Sequence, residues 1–182
     1  MNNLKENPRG LDVVIHIMQV KLYDELSSLW STTLEGYPRC YSIKRDARRN
    51  IEHYIGRGEY VSLIHAEGNK FFTLAEDSID YVSNTHYKTK IELFFILNLD
   101  TIYNGIYHRA DEEVRVDVLN ILNKLDGVQV MKVETLNDRV FMGYNYNVGQ
   151  NLDFTNDIQP YHCFKLIIDI LEYDINEHIC NN

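Results

Sequence analysis

Residues 100–127, DTIYNGIYHRADEEVRVDVLNILNKLDG, join the most apolar segment of the chain, Ile91–Leu99, to a helix, and strand-like sequence returns directly afterwards. Val114, Val118, Ile121, Leu122 and Leu125 recur with a 3.6-residue period and so share one helical face. Asp111, Glu112 and Glu113 fill the first turn, where backbone amides lack partners and the helix dipole is positive. Lys124 falls in the last turn, and Gly127 stands where a left-handed residue would close the helix.

Working outward, Tyr87–Leu99 alternates in its first half and is continuously apolar through Leu93–Leu97, which predicts a central strand covered on both faces. After the helix, Val128–Thr135 and Arg139–Asn147 flank Leu136-Asn137-Asp138 as a predicted hairpin. Val148–Ile158 is polar and reads as an exposed loop. Tyr161–Tyr173, with Pro160 at its start, reads as a last long strand. Upstream, Glu59–Ala66 and Lys70–Ala75 surround Glu67-Gly68-Asn69 as a first hairpin, while Glu76–Asn84 is polar and without a clear period.

Leu11–Trp30 predicts a helix with Leu11, Ile15, Met18, Leu22, Leu26 and Leu29 on one stripe. Val13, Val14, Ile17 and Val20 widen that stripe, so the helix needs cover on more than one side, from its own core or from a second subunit. Gly36-Tyr37-Pro38-Arg39 is expected to break it. Residues 1–10 are polar, contain Pro8 and Gly10, and read as a flexible arm, disordered or docked on a neighbour. Residues 11–175 then form a single domain, with 176–182 as a C-terminal tail. No strand–helix repeat of the doubly wound kind is present. The fold class is α+β, a mostly antiparallel sheet with two main helices packed on one side.

The 182 residues carry a formal charge of −9, which argues against a general nucleic-acid binder but leaves room for a protein that DNA merely passes. The 13 tyrosines suit half-buried sheet faces and subunit interfaces alike. Cys40, Cys163 and Cys180 make no CxxC pair and fit no closed disulfide framework, so a reducing compartment is expected. No apolar run approaches the ~20 residues that span a bilayer, and no signal-peptide pattern precedes Leu11–Val20, so the protein is expected to be made and kept in the cytoplasm.

The basic residues gather in Arg39–Arg49, where Arg39, Lys44, Arg45, Arg48 and Arg49 face a single acid, Asp46. A solvated loop, a docking site for an acidic partner and a phosphate contact are all open readings. Catalytic patterns are missing: there is no HExxH, GxSxG or GxxxxGK[ST]. His162-Cys163 pairs a base with a nucleophile, but neighbours on a strand point to opposite faces. His108 and Arg109 with Asp111, Glu112 and Glu113 invite a metal or acid–base reading. On a helix those carboxylates fan apart, and dipole-favoured acids with a salt bridge to Arg109 or Arg115 explain them better. His16 reads as a packed core histidine, and Gly56-Arg57-Gly58 lacks the strand–loop–helix setting of a phosphate loop. No catalytic activity, metal or cofactor is expected.

Three segments nevertheless carry a likeness: LNLDTIY (97–103) with HRADEEVRVDVLNIL (108–122), Pro38-Arg39-Cys40-Tyr41, and DIQPYHCFKLIIDI (157–170). Together, over about Leu11 to Tyr173, the chain resembles ring-forming head-to-tail connector (neck) proteins of tailed bacteriophages, of the crAss-like type. The resemblance implies a fold related to tail-terminator and tail-completion proteins, no catalysis, and a homo-oligomeric ring in the virion. That ring would stack with portal, neck and tail proteins around non-specifically passing genomic DNA, twelvefold near the portal or sixfold as a terminator at the tail end. Its candidate interface residues are Arg39, Lys44, Arg45, Arg48, Arg49, His108, Arg109, Asp111 and Glu112. The reading from a different class is an intracellular adaptor domain that presents Arg39–Arg49 to an acidic partner.

Overall fold

The apolar residues Leu93–Leu97 lie buried one after another on an interior strand of a sheet that has seven strands among the described residues. A computed structural model describes residues 1–45, 48–56, 58–63, 68–103, 110–135, 140 and 161–179. The elements are α1 (Leu11–Trp30), β1 (Leu34–Arg45), β2 (Arg48–Gly56), β3 (Glu59–Ser62), β4 (Asn69–Ser83), β5 (His86–Asn98), α2 (Leu99–Ile102), α3 (Asp111–Leu122), β6 (Val128–Glu134) and β7 (Tyr161–Asp174). The strand order is β3-β2-β1-β4-β5-β7-β6. Every pairing is antiparallel except β1 with β4. The α+β class and the mostly antiparallel sheet are therefore as the sequence predicts.

Alternation along the strands sorts the core into two faces. Phe71, Phe95 and Phe164 occupy one rung of β4, β5 and β7, with ring centroids 5.5 and 4.8 Å apart. On that face they pack with Ile15, Met18, Leu22 and Leu26 of α1 and with Val114, Val118 and Leu122 of α3. Both long helices thus lie on one side. On the other face Phe72 stacks on Phe94 at 5.0 Å, within a smaller cluster that includes Cys40, Ile51, Leu63, Ile96 and Cys163. Covering both faces of β5 fits its continuous apolar run.

Several expectations are corrected. Glu59–Ala66 and Lys70–Ala75 do not form a hairpin with each other: β3 pairs back on β2, and β4 runs parallel to β1, two strands away. β4 also continues through the polar 76–83 stretch and pairs with β5. The first helix ends at Ser31, which is left-handed with φ 49°, so Gly36 and Pro38 lie inside β1 instead of breaking the helix. Pro38 cannot donate to a ladder, and the β1–β4 register shifts between Gly36 and Arg39 around it. Gly36 is required by packing, since a Cβ there would stand 2.8 Å from both Asn2 Oδ1 and Phe71 Cζ.

α3 stops at Leu122, before Lys124, and Gly127 has the left-handed φ of 73° in the turn that follows. β6 pairs with β7. The expected partner strand Arg139–Asn147 lies outside the described residues except for Val140, which is buried and helical. The expected turn at 136–138 and the 148–158 loop also lie outside them. The N-terminal arm, expected to be flexible, is docked on its own chain. Asn2 bridges to Gly36, and Gln19 donates to Asn2 Oδ1 at 2.7 Å. The C-terminal residues join it: Arg9 bridges to His178, and Gly10 N–H donates to Glu177 O at 2.8 Å.

Candidate functional site

The basic segment forms strands instead of a loop. Lys44 stands opposite Arg49 and Arg45 opposite Arg48, at the end where β1 and β2 extend past the main sheet. Like charges directly opposite each other are unfavourable in a strand pair, and this end brings four cationic positions together. Arg49 is exposed. With β3, these strands form a three-stranded wing, and directly opposed Tyr54 and Tyr60 lie 5.1 Å apart on it. Tyr60 also meets Tyr41 edge-on at 5.7 Å.

Arg39 behaves differently from the rest of its cluster. Its Nε lies 3.0 Å from Asp12 Oδ1, and its guanidinium sits 5.4 Å from the Tyr41 ring centroid. Lys5 also pairs with Asp12, so the buried carboxylate at the start of α1 is held between two cations. Arg39 therefore joins sheet, helix and N-terminal arm, which is a structural task.

The second group splits as well. His108 and Arg109 lie outside the described residues. Asp111 and Glu112 both pair with Arg115, the former at 3.4 Å, as the i,i+4 and i,i+3 spacings allow. The Glu112–Arg115 pair is one of the salt bridges expected from Glu112 or Glu113, and the Asp111–Arg115 pair adds to it. His162 and Cys163 lie on opposite faces of β7, His162 beside Phe164 on the helix side and Cys163 in the other cluster. Burial pushes the Cys163 thiol up to about 12 and the Cys40 thiol higher still, so neither has thiolate character at neutral pH. Among the described residues, no group of three or more His, Cys, Asp or Glu comes together as a metal site. No described helix is long and apolar enough to cross a membrane.

Sequence reasoning missed the outer surface of the helical layer. Leu29 was expected inward, yet it is 59% exposed while its neighbour Trp30 is buried. Val116 of α3 is 50% exposed, and two shallow grooves meet at Leu29, one along Asp24 and Lys124 and one along Tyr103 and Glu113. The signal available was the over-wide apolar stripe of α1. Of the residues that widen it, Val13 is buried and Val14 packs against the core, while Ile17 is exposed.

Comparisons of the chain with models of known families, with curated proteins and with solved structures find no match.

Proposed function

We propose that this chain is a structural subunit of a homo-oligomeric ring in the neck of a tailed bacteriophage, joining portal to tail and passing DNA without gripping it. The observation that carries assembly is the placement of exposed apolar side chains. Leu29 and Val116 lie on the helices, Tyr54, Tyr60 and Val61 on the wing, and Ile79, Tyr81 and Val82 at the β4–β5 tip. Isolated exposed apolar residues are ordinary, but grouped ones mark contact surfaces. The step from ring to neck rests on the likeness of segments 97–122, 38–41 and 157–170 to connector proteins. The charge of −9 suits a channel wall that repels phosphate.

Negative-stain microscopy of the protein, alone and mixed with a candidate portal, tests the reading. Annular particles support it, with twelvefold symmetry for a connector and sixfold for a tail terminator. Dispersed single subunits in both samples count against it. The adaptor reading draws on the cationic end of the β1–β2 hairpin, and it predicts binding to an acidic partner that is lost on charge reversal of Arg45, Arg48 and Arg49.

A further inference from the structure

We infer that the wing of one copy docks on the outer α1–α3 face of the next copy, an assignment that rests on the ring reading and names its contact. The two surfaces are complementary in three respects.

The first is what each lacks. Register places Tyr41, Tyr54 and Tyr60 on the same side of the sheet as Arg39, which reaches Asp12 of α1. This is the side that α1 and α3 cover over the main sheet. On the wing that cover stops, and Tyr54 and Tyr60 are exposed. A sheet needs another layer to bury a face. A helical layer from a second copy would extend the cover over them.

The second is charge. Around the two grooves stand Asp24, Glu25, Asp111, Glu112, Glu113 and Asp117, against Lys21, Arg115 and Lys124. Internal pairs such as Lys21–Glu25 at 2.7 Å leave this face with a net negative charge. On the wing, register places the positions Arg45 and Arg48 on the side of the tyrosines, together with Glu52, and Lys44 and Arg49 on the other side. By contrast, at the other exposed apolar group, the β4–β5 tip, Asp80 pairs with Lys88 at 3.9 Å.

The third is apolar content at the centre. Leu29 and Val116 stand out from the helices within their acidic rim, and Tyr54 and Tyr60 are exposed on the wing at the end of β2 away from Arg48. An apolar centre with a charged rim is the usual anatomy of an interface. Because wing and helix face are different patches, the contact is heterologous and repeats head to tail, closing into a ring if the rotation allows.

Reciprocal charge reversal followed by sedimentation velocity tests this. One variant carries Arg45→Glu with Arg48→Glu, and the other Asp24→Lys with Glu112→Lys, with circular dichroism checking that both fold. The wild type is expected to self-associate above the 21.4 kDa monomer, less so as salt rises. Each variant alone is expected to associate at least about tenfold more weakly, and an equimolar mixture to recover, since each reversed patch meets its complement. Wild-type association that survives either reversal, or a mixture that does not recover, overturns this docking and leaves the ring reading standing. A wild type that stays monomeric alone at every concentration overturns this docking, and one that also stays monomeric with a candidate portal overturns the ring reading with it.

Discussion

Trp30 Nε1 donates a hydrogen bond to Asp117 Oδ2 at 2.9 Å, tying the last residue of α1 to the middle of α3. The same oxygen accepts from Tyr103 Oη at 2.9 Å, and burial, joined by the hydrogen bond and negative charge of Asp117, pushes the Tyr103 hydroxyl above its ordinary range. One carboxylate therefore fixes the spacing of the two helices whose outer face is proposed to meet a neighbouring copy.

Replacing Asp117 by Ala strands both donors and is expected to cost about 1–3 kcal/mol. Trp30→Phe keeps most of the buried ring and removes one donor, so its loss should be smaller, about 1 kcal/mol. Urea unfolding of the three proteins checks both values. Equal stability of Asp117→Ala and wild type would show that the carboxylate does not hold the helices.

The Phe71–Phe95–Phe164 stack lies where the sheet meets both helices. Phe95 is fully buried and in the middle, so Phe95→Ala leaves a cavity that its neighbours cannot fill and should cost about 3–5 kcal/mol. Tyr81 at the exposed β4–β5 tip is the control: Tyr81→Ala should change stability by about 0.5 kcal/mol or less. Comparable losses in the two variants would contradict the placement of the core.

Burial lowers the affinities of His53 and His16 for a proton below their ordinary value of 6.5. The unfolded chain then binds protons that the folded chain resists. Their contribution is complete above pH 6.5 and is lost as pH falls through the lowered values. Melting temperature should accordingly decline between pH 7 and pH 5, and less so in His53→Gln. Glu134 is held low chiefly by its bond to Lys132, so its contribution is lost separately, below its ordinary value of 4.5. A melting temperature unchanged by His53→Gln at pH 5 would remove His53 from this account.

Helices and central strands were legible because their signals are local. α1 matches Leu11–Trp30 at both ends, and β5 and β7 follow runs whose burial their composition announces. The last turn of α1 was misread at one position: the stripe continued to Leu29, whereas Trp30 has the larger ring and a partner for its N–H in Asp117. Strand pairing was not legible. Turn residues at 67–69 suggest a hairpin, but nothing local reveals that β4 lies parallel to β1. The 76–83 stretch lacked a period because Ser78 through Ser83 are all exposed.

The candidate interface was legible as charge but not as geometry. Arg39 looks like its basic neighbours in sequence, and only the fold brings it to Asp12, 27 positions away. Asp111 and Glu112 could be paired with Arg115 from spacing alone, since helical neighbours three and four apart meet.

Native mass spectrometry of the purified protein, alone and mixed with a candidate portal, tests the ring proposal. The account predicts a closed assembly in at least one sample, of twelve copies for a connector or six for a terminator. A 21.4 kDa monomer in both samples, with no binding to the portal, would contradict it.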